Sequence, residues 1–228
     1  MKVHEITPGI LQRLAWVPLR AFLTVFCSLE IRGIENVKGL RSNMIIASNH
    51  TSELDPLLIV ACLPFFSRHL PLFFASREKE FYASLGKRRF LYGGTFFRMM
   101  GAYQAYVGLR NYEEALRHHL GFARGGKNVC IFPVGKRTIR GEVPEAKGGV
   151  SFLAHETKLP IMPIHIHGVE KLTLRDCLMS NRKITVVFGK PLSATDIFLN
   201  FEFVALNNER NDYAKAAHIL MEKIAQLV

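Results

Sequence analysis

Short apolar runs alternate with segments of helical character along most of the chain after Arg32. The apolar runs NMIIAS, LPLFFAS, KNVCIFP, LPIMPIHIHG and KITVVFG are typical of buried strands. The helical segments are PLLIVACL, NYEEALRHHLGFARGG, GGVSFLAHET and residues 212–228. This order of strands and helices predicts an α/β domain.

Length, composition and charge narrow the class of protein. The chain has 228 residues, enough for one well-filled domain, and 49% of them are hydrophobic, which excludes a disordered chain. A formal net charge of +11 should attract nucleic acid, an anionic bilayer or phosphorylated small molecules. The basic residues are scattered and no nucleic-acid-binding motif is evident, so we expect no nucleic-acid partner. The cysteines are expected to be buried free thiols in a reducing compartment, and they are Cys27, Cys62, Cys130 and Cys177.

Residues 10–29 form a strongly apolar stretch near the N-terminus. Arg13, Pro18 and Arg20 interrupt it, so no continuous span of about 20 apolar residues is left for a membrane-crossing helix. One interpretation is a pair of helices lying in the membrane interface, with the arginines toward the headgroups. The aromatic residues that would face the acyl chains are Trp16, Phe22 and Phe26. A helix packed into the protein core explains the pattern equally well.

The stretch SNHTSELDPLL places His50 five residues before Asp55, between a predicted strand and a helix that Pro56 opens. Taken separately, Asp55 fits the N-cap of that helix and His50 fits an ordinary loop residue. Taken together, they suggest a turn that folds the carboxylate onto one imidazole nitrogen. That contact would fix the tautomer and leave the other nitrogen to act as a general base on a substrate hydroxyl.

A basic cluster follows a second predicted strand, in the stretch CIFPVGKRTIRGE. The strand leads into a turn with proline and glycine and then into Lys136, Arg137 and Arg140. Arginine offers a planar fork and lysine a point charge, so the cluster suits a phosphate group. A solvated basic loop without a ligand is the competing interpretation.

Two other pairs of histidines do not indicate a metal site. His165 and His167 alternate along a predicted strand, but no third ligand has an evident spacing. His118 and His119 lie on a predicted helix and are expected at the surface.

The two motifs in this order resemble those of the glycerolipid acyltransferases, whose best-known members are the 1-acylglycerol-3-phosphate acyltransferases. NHTSELD resembles the family's catalytic motif, and FPVGKRT resembles its phosphate-binding motif. LPIMPIHIHG and FGKPLSATD resemble two later segments of the family's domain. The resemblance implies an α/β acyltransferase domain at residues 31–228, with a central mixed sheet flanked by helices. An N-terminal, apolar, membrane-associating helical segment at residues 1–30 would precede it.

The resemblance also assigns the site residues. It implies catalysis by His50 and Asp55 and substrate binding by Gly135, Lys136, Arg137 and Arg110. Two departures from the family pattern concern the site of the acyl acceptor. Val134 and Lys136 stand where the family usually has glutamate and threonine. Val107 stands near the position of a substrate-binding arginine, which Arg110 is expected to replace.

The implied activity is transfer of a fatty acyl group to a hydroxyl of a lysophospholipid like 1-acylglycerol-3-phosphate, in phospholipid biosynthesis. The donor would be acyl-CoA or acyl-carrier protein as a co-substrate, and the resemblance implies no metal and no other cofactor. The implied location is the cytoplasmic face of a membrane, with an anionic lipid surface as partner. Two alternatives stay open, namely a non-catalytic lipid-binding protein on the same fold and an esterase or thioesterase that uses the same base on water.

Overall fold

A computed structural model describes residues 3–76, 95–106, 109, 111–135, 145–170, 172, 175–176, 182–198 and 209–227. The helices are α1 (Val3–Phe26), α2 (Ile34–Lys38), α3 (Asp55–Cys62), α4 (Thr95–Met99), α5 (Tyr112–Ala115), α6 (Arg117–Arg124), α7 (Gly149–Thr157), α8 (Ala194–Phe198) and α9 (Glu209–Ala225). The strands are β1 (Glu30–Arg32), β2 (Ile45–Ser48), β3 (Leu72–Ser76), β4 (Ala102–Gln104), β5 (Asn128–Ile131), β6 (Ile161–His167) and β7 (Thr185–Phe188).

The strands form one sheet in the order β1-β7-β6-β2-β5-β3-β4. β2 lies between β5 and β6 and runs parallel to both, with Ile45 opposite Val129 on one side and Ile161 on the other. β6 and β7 are antiparallel, whereas the other neighbouring strands are parallel. The mixed central sheet confirms the predicted α/β fold, and each of the five apolar runs contains one of its strands.

The apolar core covers both faces of this sheet. Ile46 of β2 belongs to a cluster on the first face, and Ile45 and Ala47 belong to a cluster on the second. The first cluster takes side chains from α1 and α3, and the second takes them from α6, α7 and α9. A strand that is covered on both faces needs apolar residues at every position, which explains the unbroken runs.

The N-terminal segment forms one helix, α1, and not the predicted pair of helices. Pro8 and Pro18 both lie inside it. The side chain of Gln12, buried in the middle of α1, donates to Leu72 O (2.8 Å) and Met100 O (2.9 Å) and accepts from Leu72 N (2.9 Å). These hydrogen bonds attach α1, at a point between its two prolines, to β3 and to the turn before β4.

The aromatic residues of α1 face the core, so the outward orientation predicted for them is wrong. Trp16 Nε1 donates to Leu63 O at 2.8 Å, and Phe22 and Phe26 pack against the first cluster. Arg20 likewise turns inward and donates to Ala61 O at 3.1 Å. The alternative prediction of a core-packed helix describes this face of α1.

The opposite face of α1 is apolar and exposed. Its members recur at intervals of three and four residues, which places them on one side of the helix. We call this the exposed face of α1, and it consists of Ile6 (40% exposed), Ile10 (55%), Leu14 (65%), Val17 (56%), Ala21 and Val25 (65%). In the part of the chain that the structure describes, no helix has an apolar stretch long enough to cross a bilayer. Leu23, on the inner side of α1, belongs to the first cluster.

The predicted boundary after residue 30, between an N-terminal segment and the main domain, stays a prediction.

His119 corrects one prediction directly, because it is buried and not at the surface. It lies on α6 with Nε2 3.2 Å from Phe74 O, in the contact between that helix and β3. Burial lowers the pKa of His119 to about 4, so the neutral ring donates from Nε2 to this carbonyl. The helix predicted over residues 111–126 is divided at Leu116 into α5 and α6.

Candidate active site

The two sequence motifs meet at one edge of the sheet. β2 and β5 are parallel neighbours, with Ala47 opposite Ile131, so their carboxyl ends coincide. His50 follows the first of these ends, and the turn containing Gly135 follows the second. After β2 the chain passes through α3 to β3, and after β5 it passes through α7 to β6. In the sheet, β3 and β6 lie on opposite sides of β2, so the two connections run in opposite directions. Ligands of open α/β sheets bind at such a divergence of connections.

His50 and Asp55 make the contact that their spacing predicts. His50 Nδ1 and Asp55 Oδ2 are 2.8 Å apart, with the carboxylate fully buried and the imidazole side chain 22% exposed. The backbone N–H groups of Thr51 and Ser52 also donate to Asp55 Oδ2, at 2.7 and 2.9 Å. An ionised carboxylate only accepts, so Nδ1 carries the proton and Nε2 carries the lone pair. This tautomer suits a general base.

Asp55 does not cap α3, which corrects the simpler interpretation of this residue. The helix begins at Asp55 itself, its N-cap is Leu54, and no side chain caps it. The carboxylate turns back toward the preceding loop, where its hydrogen bonds hold the turn between the two motif residues.

Two further residues hold the imidazole in place. The side chain of Asn49 donates to Ile166 O (2.7 Å) and accepts from Ile166 N (2.8 Å), which fixes the residue before His50 to β6. The ring of Phe132 stacks on that of His50, with centroids 4.4 Å apart and planes at 25°. Since Phe132 follows β5, this stacking joins the first motif to the second.

The second motif is described as far as Gly135. The predicted substrate-binding residues Lys136, Arg137 and Arg110 lie outside the described residues. Gly135 has φ +62°, a left-handed conformation that disfavours a side chain, and its N–H donates to Phe132 O at 3.0 Å.

Lys147 lies beside this turn, although its position in the sequence did not mark it. Its backbone N–H donates to Pro133 O at 2.8 Å. A Cβ added to Gly135 would lie 3.5 Å from Lys147 Nζ and 3.6 Å from its Cδ and Cε. The exposed lysine side chain therefore extends over Gly135.

Val134, which replaces the glutamate usual in the family, faces apolar neighbours. It is 3% exposed and belongs to the second cluster with Ile131, Ala146 and Val150. This position therefore contributes to packing under the turn.

The described cysteines are buried and free, as predicted for Cys27, Cys62 and Cys130, whereas Cys177 lies outside the described residues. Burial raises the pKa of Cys62 to about 12. Burial, with the charge of Asp55 in addition, raises the pKa of Cys130 far above its usual range. The thiols of Cys62 and Cys130 therefore stay protonated at neutral pH and are not nucleophiles.

A metal site was not predicted, and the ranges given above contain no group of three His, Cys, Asp or Glu side chains that could hold an ion. His167, one of the two strand histidines, has Nδ1 3.5 Å from Glu170 Oε1.

Comparison with known proteins gives agreeing results. A family model described as Acyltransferase matches residues 28–167, more than half of the chain. A probable 1-acyl-sn-glycerol-3-phosphate acyltransferase from Mycoplasma pneumoniae is 25% identical, over 85% of this chain and 73% of that protein. The Mycoplasma genitalium protein with the same description is 23% identical, over 74% of this chain and 62% of its own length. The crystal structure of the 1-acyl-sn-glycerophosphate (LPA) acyltransferase PlsC from Thermotoga maritima matches the fold with a TM-score of 0.62. Its identity is 19%, and the match covers 100% of this chain and 83% of PlsC.

Proposed function

The chain belongs to the acyltransferase family, and from that premise we propose that it transfers a fatty acyl group to a hydroxyl of a lysophospholipid. The acceptor is of the 1-acylglycerol-3-phosphate type, the acceptor class in the names of the relatives from both Mycoplasma species. The donor is an acyl thioester, either acyl-CoA or acyl-carrier protein. The product belongs to phospholipid biosynthesis.

His50 is the general base in this proposal, and its contact with Asp55 is the observation that carries it. His50 Nε2 takes the proton from the acceptor hydroxyl while that oxygen attacks the thioester carbonyl carbon. The carbon–sulfur bond then breaks, and the leaving sulfur takes the proton from the imidazolium. The products are an ester and a free thiol, so the reaction is balanced in atoms and electrons. The buried charge of Asp55 stabilises the imidazolium between the two proton transfers.

The acceptor phosphate is held by the second motif. Arg137, Lys136 and Arg110 supply positive charge, and Gly135 lets the backbone approach the ligand because it has no side chain. Fixing the phosphate brings the hydroxyl to attacking distance, and such positioning can lower the activation barrier by several kcal/mol.

The protein docks on the surface of a membrane through the exposed face of α1. A nearly bare aromatic lies outside this face of α1, since Phe66 in the loop after α3 is 90% exposed. Phe66 has its ring 4.9 Å from Phe65, which in turn lies 5.3 Å from Trp16 of α1. Apolar side chains on one side of a helix enter the headgroup and acyl boundary. The net charge of +11 favours an anionic leaflet, for which we propose the cytoplasmic face.

The test is an assay of the purified full chain with labelled oleoyl-CoA and a panel of lysophospholipids, with oleoyl-carrier protein as a second donor. We expect a labelled diacyl product with 1-oleoyl-glycerol-3-phosphate as acceptor. His50→Ala should lose turnover and keep its affinity for the lysophospholipid.

Release of free fatty acid without a diacyl product would identify a thioesterase instead. Full function in cells with His50→Ala, together with retained lipid binding, would identify a lipid-binding protein.

A further inference from the structure

We propose that Lys147 is a phosphate-binding residue of this site, contacting a phosphate group of one of the two substrates beside the turn of the second motif. The proposal rests on the proposed function, because that function brings phosphate groups to this edge of the sheet. Both of its substrates carry phosphate, the acceptor in its headgroup and the donor in its CoA moiety.

The position of Lys147 is fixed by the turn of the second motif. Its backbone N–H donates to Pro133 O at 2.8 Å, and Lys147 Nζ lies 3.5 Å from the place of a Cβ on Gly135. Gly135 has no side chain between this ammonium group and the turn. A cation is thereby held directly over the backbone of the motif.

The same turn is connected to the general base. Pro133, whose carbonyl accepts from Lys147, follows Phe132, and the ring of Phe132 stacks on His50 with centroids 4.4 Å apart. One stacking contact, one peptide bond and one hydrogen bond therefore relate the imidazole to the lysine. A phosphate held by Lys147 would have a defined place relative to the reacting hydroxyl.

Two features of the chain around Lys147 favour an anion at this position. The residue is exposed, so its ammonium group does not bear the cost of burial. It directly precedes Gly148, the N-cap of α7, where no side chain caps the helix. The positive end of the helix dipole adds to the attraction that lysine exerts on an anion.

The experiment compares Lys147→Met with wild type and with Lys147→Arg in the full chain. Methionine keeps an unbranched side chain over Gly135 and the backbone hydrogen bond, and removes the ammonium group with its charge and hydrogen-bond donors. We expect Lys147→Met to raise the KM for one phosphate-bearing substrate about tenfold to a hundredfold, with kcat changed less than threefold. Lys147→Arg should restore most of the affinity. The matched control is Lys127→Met, at the opposite end of β5, which should keep the wild-type KM.

Separate titrations identify which phosphate is bound. A higher KM for 1-oleoyl-glycerol-3-phosphate at saturating donor assigns Lys147 to the acceptor headgroup. A higher KM for oleoyl-CoA assigns Lys147 to the donor, and oleoyl-dephospho-CoA, which keeps the diphosphate, then distinguishes binding of the diphosphate from binding of the 3′-phosphate. Unchanged KM values for both substrates in Lys147→Met would overturn the proposal, as would a loss of kcat alone.

Equilibrium binding separates this proposal from the proposed function. The probes are 1-oleoyl-glycerol-3-phosphate and oleoyl-CoA, and 1-oleoyl-glycerol, which lacks a phosphate, reports whether the site is intact. Lys147→Met should weaken binding of a phosphate-bearing probe and leave binding of 1-oleoyl-glycerol unchanged. If wild type has no transferase activity, the proposed function fails, and this difference in binding still decides the role of Lys147. Equal affinities of wild type and Lys147→Met for all three probes would overturn that role.

Discussion

At the scale of single residues, the hydrogen bonds of the site converge on one oxygen of Asp55. His50 and the backbone of Thr51 and Ser52 all donate to Oδ2, whereas Oδ1 is buried without a partner among the residues that the structure describes. An amide at position 55 can therefore present its oxygen to the same donors. The negative charge beside the imidazole would be lost while the geometry was kept.

We accordingly expect Asp55→Asn to lower kcat/KM about 10²- to 10⁴-fold, because nothing then stabilises the imidazolium. His50→Ala should lower it further, since no base is left. The new amide nitrogen would be buried without an acceptor, at a cost of about 1 to 3 kcal/mol in the free energy of unfolding. Steady-state kinetics and thermal unfolding of both variants measure these effects. Wild-type rates in His50→Ala would contradict the assignment of the base.

Restoring the family's glutamate by Val134→Glu should first change stability, since Val134 packs among apolar side chains. An unpaired buried carboxylate costs about 3 kcal/mol or more. Burial raises the pKa of such a group, so the loss should be small below about pH 4, where the carboxyl group is neutral, and should grow as pH rises. Denaturant unfolding at several pH values tests this. Unchanged stability at pH 8 would mean that the new carboxylate reaches a cation.

His119 should make stability depend on pH in the opposite direction. Its folded pKa of about 4 lies below its ordinary value of 6.5, so protonation favours the unfolded state. This contribution is fully present above pH 6.5 and is lost as pH falls toward 4, by about 3 kcal/mol in total. Unfolding curves of wild type and His119→Gln between pH 7.5 and 4.5 should differ in slope. His218→Gln, at an exposed histidine of α9, should keep the wild-type slope.

At the scale of helices and strands, sequence patterns predicted those elements that have a strong signal of their own. The apolar runs gave the strands at the centre of the sheet, because strands covered on both faces need apolar residues throughout. β1, β4, α2, α4 and α8 were not predicted, since each is too short to show periodicity. The orientation of α1 was beyond pattern analysis because both of its faces are apolar, and only packing separates Trp16 from Val17.

The same limit applied to the site. His50 and Asp55 could be predicted because their chemistry and spacing are distinctive. Phe132 appeared to be one more apolar residue of its strand, and Lys147 one more surface cation. Their roles depend on contacts between segments that are far apart in sequence, which no local pattern contains.

The two faces of α1 should respond differently to substitution. Leu14→Glu together with Val17→Glu should weaken binding to anionic vesicles at least tenfold and leave the unfolding midpoint nearly unchanged, because both residues are exposed. Gln12→Leu should lower the free energy of unfolding by about 3 kcal/mol, because Leu72 and Met100 lose their buried partner. Vesicle sedimentation and denaturant unfolding distinguish the two effects. Wild-type vesicle binding by the double variant would show that the exposed face of α1 is not the docking surface.

At the scale of the whole molecule, charge and apolar surface should contribute separately to membrane binding. The net charge of +11 attracts anionic lipids, and this attraction is screened by salt. Insertion of apolar side chains is insensitive to salt. We therefore expect raising the salt from 0.05 to 0.5 M to weaken binding to anionic vesicles strongly, and to have little effect on the weaker binding to neutral vesicles. Equal salt dependence for both kinds of vesicle would contradict this division.

The place of β2 in the sheet has a consequence for the synthesis of the protein. Its two neighbours, β5 and β6, both come much later in the chain. During translation, the apolar strand that precedes His50 is made long before either partner leaves the ribosome. Pairings between distant segments form slowly, and an unpaired apolar strand invites aggregation in the meantime. In the nascent chain β2 therefore lacks its neighbours until residue 131 at least has emerged, and activity cannot precede that point.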